Sequence, residues 1–520
     1  MARINTNVSS VIARNNLNRT SNDLDLRLER LSTGLRINRG KDDPAGVIIS
    51  ERIATDLSGI NAAISNTERA SSVISTTEAS LNEISALLND IKGLLVESAN
   101  TGANSKDERN ANQLQIDSAI ESITRIANSA TFGGLPLLDG SLDFVTSGVS
   151  NSAISTSRIF NASFVGAENL SVDVDVIASA QKASLFLNGN SGITSAGVIA
   201  SSFTLAVKGT SGTAEISFIS GQSLSQVIAA INSQTASTGV TASLIDPADS
   251  GVGLVLRSEG YGSDAFVSVE RTDASAGNTE PLFYKLSGGV DTPAIDSTWS
   301  WANPSLASIS NSGRSNGRDV SALINGNLAI GDGLDVSINS PALSMKLSLT
   351  EDFGTDPDAT NSAFYITGGG SLFQIGPEIN AQQQTSIGIQ SVISSRLGGT
   401  EIDGTVQYLS SLAKGKTNSI ESSFRRKDYS EAQQILDAAI DEVAVLRGRL
   451  GAFERNVLNT SQRNLQTSFE NLTASRSRIR DADFAAETSE LTRAQILQSS
   501  GTSVLQLANQ SAQSVLQLLG

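Results

Sequence analysis

The stretch AQQILDAAIDEVAVLRGRLGAFERNV (residues 432–457) carries apolar residues at strictly alternating steps of four and three. These positions are Ala432, Leu436, Ala439, Val443, Leu446, Leu450, Phe453 and Val457. A stripe this narrow is typical of a coiled-coil seam rather than of a helix lying on a globular core. Each of its larger side chains would lose about 1.5–3 kcal/mol if it stayed in water. The stretch therefore predicts a long helix that needs partner helices.

Both ends of the chain carry the same kind of stripe. The positions are Leu24, Leu28, Leu31 and Leu35 near the start, and Leu505, Ala508, Ala512, Val515 and Leu519 near the end. Two seams at opposite chain ends can pair if the middle loops out, which predicts antiparallel terminal helices. Because the stripes are thin and the surfaces polar, we expect these arms to be marginal alone and ordered by further copies. An ordinary bundle core within one chain is the alternative.

Signals for helix ends divide the N-terminal region. Gly34 indicates a helix stop, and Lys41-Asp42-Asp43-Pro44 indicates a start, with an aspartate as N-cap and proline in the first turn. The next helix keeps the heptad as far as Leu95, with one three-residue slip at Ala70.

Between about 139 and 399 the pattern changes to short alternating runs separated by Gly, Ser, Asn and Asp, which predicts strands. One short helix is predicted at 224–231. Asn-Gly follows apolar runs at 185–187 and 322–324, which indicates hairpins. The predicted fold is multidomain: all-α coiled-coil terminal arms and a helical bundle formed by both chain ends, with a β-rich central insertion.

Composition excludes several functions. The net charge of −16 and the pI near 4.6 argue against nucleic-acid binding. The chain has no Cys and no His, which removes disulfides, thiol catalysis, the usual zinc sites and histidine bases. No nucleophile elbow is recognisable. No apolar run reaches membrane-spanning or signal-peptide length. We expect no enzyme, no cofactor and no membrane partner.

One pair of carboxylates needs separate consideration. Asp481 and Asp483 lie two residues apart, a spacing compatible with metal or acid–base chemistry. The favoured interpretation is a solvated helix face, with Arg476, Arg478 and Arg480 as partners.

Two motifs resemble those of bacterial flagellins. LSTGLRINRGKDDPAG (31–46) is similar to the family's N-terminal signature, and RIRDADFAAETSELTRAQILQ (478–498) to its C-terminal one. The resemblance covers about the first 140 and last 90 residues. In addition, 218–269 is similar to a small β-rich module of some flagellins and hook proteins.

The resemblance implies a structural subunit of the extracellular flagellar filament. It implies export in an unfolded state by the flagellar type III apparatus and polymerisation into a hollow helical propeller for motility. The implied partners are further copies of the chain, the flagellar cap and hook-associated proteins, a C-terminal export chaperone and other flagellins.

The resemblance also implies a division into domains. Residues 1–44 plus 480–520 form channel-lining arms, 45–180 plus 370–479 form a helical inner-wall domain with β-hairpins, and 181–369 form the variable outer region, of one or two subdomains. Residues 41–44 then act as a hinge between the arms and the inner wall.

Three positions bear on the innate flagellin receptor, Toll-like receptor 5. In flagellins that it detects, an arginine stands where this chain has Asp90, near Leu94, and a glutamate where it has Gln115. Since a reversed charge at an interface centre is costly, the resemblance implies weak or absent activation.

Two alternatives remain at this point. One is a hook–filament junction protein, which shares the end architecture but forms only a short collar. The other is a filament subunit whose outer region also acts as an adhesin. Trp299 and Trp301 share one loop-like stretch there, and the favoured interpretation of both is a buried structural pair or a contact between neighbouring outer domains.

Overall fold

The structure is a computed structural model. It describes residues 7–164, 168–188, 193–194, 197–199, 202–272, 283–286, 295, 297–309, 312–340, 342–402 and 404–519, without the side chains of 193–194 and 511–519. The chain divides into two compact units. The arm unit comprises Met1–Ser85, Phe373–Thr385 and Val443–Gly520, and the body unit comprises Ala86–Leu372 and Ser386–Glu442.

The α-helices are α1 (Val8–Thr33), α2 (Pro44–Ala99), α3 (Lys106–Ser129), α4 (Leu224–Asn232), α5 (Thr235–Thr238), α6 (Glu351–Gly354), α7 (Ile420–Arg426), α8 (Ser430–Phe453), α9 (Asn459–Arg480) and α10 (Phe484–Leu519). A π-helical turn, Glu454–Leu458, joins α8 to α9. Short 3-10 turns occupy Ala381–Gln383 and Leu409–Leu412.

The strands are β1 (Thr131–Phe132), β2 (Leu135–Pro136), β3 (Phe144–Ser147), β4 (Ile154–Ala162), β5 (Leu170–Ala178), β6 (Lys182–Asn188), β7 (Ile193–Thr194), β8 (Val198–Ile199), β9 (Phe203–Lys208), β10 (Thr213–Phe218), β11 (Val240–Leu244), β12 (Gly253–Tyr261), β13 (Phe266–Arg271), β14 (Phe283–Leu286), β15 (Leu306–Ile309), β16 (Ser312–Asn316), β17 (Ser321–Ile324), β18 (Asn327–Leu328), β19 (Ile330–Asp332), β20 (Asp335–Asn339), β21 (Leu343–Leu349), β22 (Ser362–Gly369), β23 (Ser371–Gln374), β24 (Gln384–Ile387), β25 (Thr400–Ile402) and β26 (Thr405–Gln407).

The predicted ends of the first two helices are confirmed. Gly34 ends α1 with φ of 71°, and its N–H donates to the carbonyl of Arg30 at 2.8 Å. Helix α2 begins at Pro44, and the Asp43 carboxylate accepts from the N–H of Gly46 at 2.9 Å. Glycine and an aspartate–proline pair therefore do here what their backbone preferences predict.

Within the arm unit, α2 runs antiparallel to the π-helical turn and α9. Ile60 and Ala63 pack with Leu465 in one buried cluster. Further along, the Ser71 hydroxyl donates to the Glu454 carboxylate at 2.5 Å. The residue numbers rise along α2 while those of its contacts in α9 and the π-helical turn fall, so the two segments run antiparallel.

The first part of the quoted stripe is intramolecular core. Six of its positions are at most 4% exposed: Ala432, Leu436, Ala439, Val443, Leu446 and Leu450. The alternative of a bundle core within one chain is therefore correct for 432–450. Phe453 is partly buried and packs on Phe373. The last position, Val457, was predicted wrongly, because it is only partly buried while the next residue, Leu458, is fully buried. The π-helical turn adds one residue and moves the stripe by one position.

The body unit contains two antiparallel sandwiches. In the first sandwich, sheets ordered β18-β17-β5-β22-β3 and β19-β20-β21-β4 enclose one core. In the second, sheets ordered β10-β9-β13-β16 and β11-β12-β6-β14-β15 enclose another together with α4. Helix α4 confirms the prediction at 224–231. The Asn325-Gly326 turn is a two-residue hairpin with positive φ at both residues, while its counterpart after 188 lies outside the described residues.

The sheets correct one predicted domain boundary. The division at 180/181 separated 144–178 from 321–366, yet strand β5 pairs with β17 and β22, and β4 pairs with β21. Local sequence patterns do not indicate which strands pair when the strands are distant in the sequence. The first sandwich therefore takes strands from both sides of that boundary, and the second sandwich is inserted between them.

The core of the first sandwich supplies a stability test. Phe364 is fully buried opposite Val172 on β5, whereas its neighbour Tyr365 is 51% exposed. We expect Phe364→Ala to lower the free energy of unfolding of this sandwich by about 3–5 kcal/mol, because it opens a cavity. Tyr365→Ala is the matched control and is expected to change it by about 0.5 kcal/mol. Urea titration with hydrogen exchange of the β22 amides measures both, and equal losses would contradict the assignment of the core.

Candidate polymer interface

The terminal helices α1 and α10 pair antiparallel within the arm unit, as predicted. The Asn7 amide donates to the carbonyl of Ala508 at 2.8 Å, near one end of the pair. At the other end, Leu35 and Asp481 form an antiparallel β-bridge. The predicted N-terminal seam and the predicted C-terminal seam therefore do not contact each other. Residues 24–35 lie opposite 481–494, whereas Leu505 and Ala508 lie opposite the beginning of α1.

A buried carboxylate joins the two arms where the last turns of α1 meet the first turn of α10. Glu487 is 7% exposed and accepts from Arg27 at 2.9 Å and from Arg30 at 3.0 Å. Burial alone would raise the pKa of Glu487, but hydrogen bonds from the two guanidinium groups outweigh it and hold the pKa below its ordinary value. Sequence reasoning missed this contact, although Arg27 and Arg30 have the i, i+3 spacing that places two side chains on one helix face.

The segment from Asp481 to Asp483 was predicted to be helical, and that prediction was wrong. It is a break between α9 and α10. The Asp483 carboxylate accepts from the N–H of Ala485 at 2.9 Å, so it caps α10, and Asp481 accepts from the Ser477 hydroxyl at 2.6 Å. Arg480 pairs instead with Glu51 at 3.2 Å. Short polar side chains that can bond to nearby backbone favour helix ends over helix interiors.

The two breaks in the arms lie side by side. The N–H of Arg36 donates to the carbonyl of Arg480 at 2.7 Å, and the N–H of Ala482 donates to the carbonyl of Gly34 at 2.9 Å. The segment 34–37 is thus held to 480–482 by backbone hydrogen bonds. A movement of one break consequently requires a movement of the other.

The predicted hinge residues form an ordered turn. One oxygen of the Asp42 carboxylate accepts from the N–H groups of Asn38 and Arg39, at 3.2 and 2.9 Å. The backbone hydrogen bond from Arg39 is the main reason that the pKa of Asp42 is lowered. Lys41 is exposed, and Pro44 begins α2. Their role as a hinge stays a prediction.

The arms expose much of their apolar surface. Of the predicted contact residues, Leu28 is exposed, and Leu24, Leu31, Leu35, Leu505 and Ala508 are partly buried. Ala512, Val515 and Leu519 fall in the part of α10 whose side chains lie outside the described residues. Other large apolar side chains are also exposed: Val8, Val11, Ile12, Phe484, Ile496, Leu497, Val504 and Leu507. Two paired helices cover each other on one side only, so a second apolar face remains open.

The predicted receptor-facing residues lie in the body unit. Asp90 and Leu94 are on α2, exposed and partly buried respectively, and Gln115 is exposed on α3. Trp299 packs on Phe186 with ring centres 4.7 Å apart, and Trp301 packs on Tyr284 at 5.0 Å. Of the two favoured interpretations of the tryptophans, the structural pair fits this packing.

These features define a class of protein. Both chain ends form helices with uncovered apolar stripes, and a β-rich region is inserted between them. No described helix is long and apolar enough to cross a bilayer. Among the residues that the structure describes, no cluster of three or more acidic side chains could hold a metal ion. The chain is a helix-ended structural subunit with a β-rich insertion.

Comparison with known proteins gives the family. The family model of the bacterial flagellin N-terminal helical region matches residues 4–143, that of the C-terminal helical region matches 433–519, and that of the flagellin hook IN motif matches 202–260. Flagellins of Salmonella rubislaw and Escherichia coli strain K12 are each 30% identical to the chain, with 99% of both proteins covered. The flagellar cap protein of Escherichia coli is 15% identical over 49% of this chain and 64% of its own, with a TM-score of 0.27.

The chain belongs to the bacterial flagellin family. Its members are structural proteins and subunits of the flagellar filament, which lies outside the cell.

The Glu487 contact generates a pH-dependent prediction. We expect Glu487→Gln to destabilise the paired arms by about 1–3 kcal/mol at pH 7, because it removes two charge-assisted hydrogen bonds. The folded-state pKa of Glu487 is lowered, so its contribution is present above the unfolded pKa and lost as pH falls through the folded value. The difference from the unmodified chain should therefore disappear at low pH. Thermal melting followed by helical circular dichroism at both pH values measures it.

Glu490→Gln is the control for this experiment. Glu490 lies on the same helix and makes a surface ion pair with Arg493 at 3.7 Å, so its loss should cost less than about 1 kcal/mol. An equal destabilisation by Glu487→Gln at both pH values would show that the carboxylate charge is not what joins the arms.

Proposed function

We propose that the chain is exported unfolded by the flagellar type III apparatus and polymerises into a hollow helical filament that acts as the propeller in motility. The observation that carries the proposal is the open apolar face of the paired arms. Leu507 is 69% exposed on α10, and Val8, Val11 and Ile12 are exposed on α1. Identical subunits that cover these faces in a head-to-tail arrangement without closure form a filament.

The proposed division into domains follows from that arrangement. The arms, 1–44 and 480–520, line the channel. The helices of 45–143 and 386–479 form the inner wall, and the two sandwiches lie outside them. The first sandwich, which takes strands from 144–178 and 321–369, belongs with the outer region rather than with the helical wall, since its sheets pair across the earlier boundary.

The proposed partners follow from the same function. They are the flagellar cap and hook-associated proteins, a chaperone for the C-terminal arm and other flagellins in a mixed filament. The open stripe of α10 supports a chaperone, since that stripe would otherwise be in water before assembly.

The two alternatives are less well supported. A junction protein is disfavoured because the matching relatives that cover 99% of both chains are named flagellins. An adhesin that binds sugars through Trp299 and Trp301 is disfavoured because both rings are packed on Phe186, Tyr284 and each other.

Polymer-dependent order of the arms can be tested by proteolysis. We expect dilute, never-assembled subunit to be cut in both arms, and assembled filaments to resist, because the second apolar face of the paired arms is covered only between copies. Leu507→Asp should block assembly and leave the arms sensitive at any protein concentration. Leu328→Asp is the matched control: Leu328 is 66% exposed on β18, and its variant should assemble normally.

Two results would contradict the proposal. One is full protection of both arms in the dilute subunit. The other is normal filament growth by the Leu507→Asp variant at the same critical concentration as the unmodified chain.

Activation of Toll-like receptor 5 tests the prediction made for the receptor-facing residues. We expect purified monomer to activate a receptor reporter cell weakly or not at all, because Asp90 and Gln115 replace the arginine and glutamate of detected flagellins. Asp90→Arg combined with Gln115→Glu should raise the activation. Glu83→Arg, an exposed charge reversal on the same helix, is the control and should have no effect. Full activation by the unmodified chain would refute the prediction.

A further inference from the structure

A group of basic residues lies on the body unit of this acidic chain. Between positions 414 and 427 the sequence has five basic residues and one acidic residue, although the whole chain carries a net charge of −16. The five are Lys414, Lys416, Arg425, Arg426 and Lys427. The segment includes α7 and the turn before it. This segment contains none of the predicted coiled-coil contact residues and none of the predicted receptor-facing residues.

Part of this segment forms a cavity with the first turns of α3. The cavity, called the basic pocket below, has a volume of about 270 Å³ and is lined by Lys106, Arg109, Lys414 and Arg425 with Ile420 and Phe424. Glu421 also lines it, so four cationic side chains share the pocket with one carboxylate.

The guanidinium of Arg109 is fixed in the basic pocket. Its Cζ lies 3.8 Å from the centre of the Phe424 ring, and it donates to the carbonyl of Asn104 at 2.6 Å. Cation–π stacking uses one face of the guanidinium and leaves the other face available. Phe424 therefore both positions a cation and contributes apolar surface.

The other three cations of the pocket form no ion pair with any described residue. In the described part of the chain, no carboxylate oxygen lies within 4.0 Å of the charged nitrogens of Lys106, Lys414 or Arg425. Arg426, the next residue along, does have one, since it pairs with Glu431 at 2.7 Å. The chain thus neutralises the neighbouring cation and leaves the basic pocket positively charged.

We propose that the basic pocket receives an acidic surface segment of a second copy of this chain. Copies that each carry −16 repel one another, so their contacts need local charge complementarity. A neighbouring copy offers abundant carboxylates and also apolar atoms for Ile420 and Phe424, which a free inorganic anion lacks. This inference rests on the proposed polymerisation and names a contact outside the arms.

Zero-length carbodiimide cross-linking tests the contact directly. Filaments are assembled from an equal mixture of ordinary and ¹⁵N-labelled subunits, cross-linked, dissolved and analysed by mass spectrometry. We expect cross-links from Lys106 or Lys414 to Asp or Glu residues of the other isotopic form, and none in the dilute monomer. Filaments without such cross-links would overturn the inference while leaving the proposed function intact. Failure of the unmodified chain to form filaments would instead refute the proposed function.

Charge reversal gives a second readout. Lys106→Glu with Lys414→Glu should raise the critical concentration for assembly at least about tenfold at low salt, and added salt should reduce the difference by screening the new repulsion. Both side chains are exposed, and a glutamate in the first turn of α3 suits the helix dipole, so the fold should be kept. Lys208→Glu, at an exposed lysine of β9, is the control and should assemble as the unmodified chain.

Two further outcomes would overturn the inference. One is an unchanged critical concentration for the double variant. The other concerns acetylation of Lys106 and Lys414. If inorganic phosphate protects both lysines from acetylation in the monomer, and assembly into filaments does not protect them, the occupant is a free anion.

Discussion

The antiparallel pairing of α1 with α10 is the constraint on which the rest of this flagellin depends. Two helices packed together can cover only one side of each other, and both arms carry apolar residues on more than one side. Leu507 and Ile12 consequently remain in water in the single chain. Hydrophobic burial is worth about 25 cal/mol per Å², so several large exposed side chains on each arm make association with further helices strongly favourable. In the proposed filament, the arms are thus the part of the chain whose folding would be coupled to assembly.

The same spacing has a different outcome where more neighbours are available. Leu436 is fully buried and Leu446 nearly so, although their sequence pattern is the one found at Leu505 and Ala508. A heptad stripe indicates that a helix has a narrow apolar side. It does not indicate whether the helix that packs on that side belongs to the same chain or to another copy. The location of the partner is decided by topology, which a local pattern does not contain.

Local chemistry explains which features the sequence predicts. Gly34 and Pro44 act through their own backbone preferences, so the ends of α1 and α2 follow from the residues alone. The break at Asp481–Asp483 follows the same chemistry, but the surrounding heptads concealed it. The π-helical turn at Glu454–Leu458 has no such signal, and one of its contacts, from Ser71 to Glu454, joins residues that are distant in sequence. Pairing of β5 with β17 joins segments about 150 residues apart, and alternation identifies strands without identifying their partners.

Charge adds the directional information that apolar stripes lack. Hydrophobic contact is roughly proportional to area and changes little when one helix slides along another. The two hydrogen bonds to Glu487 are lost on such a slide, because Arg27 and Arg30 reach it from a single turn of α1. Leaving that buried carboxylate unpaired would cost more than the bonds themselves contribute. The Glu487 contact therefore fixes the register of the arms together with the backbone hydrogen bonds between 34–37 and 480–482 and the Asn7 contact with Ala508. The area of the stripes determines how strongly the arms associate.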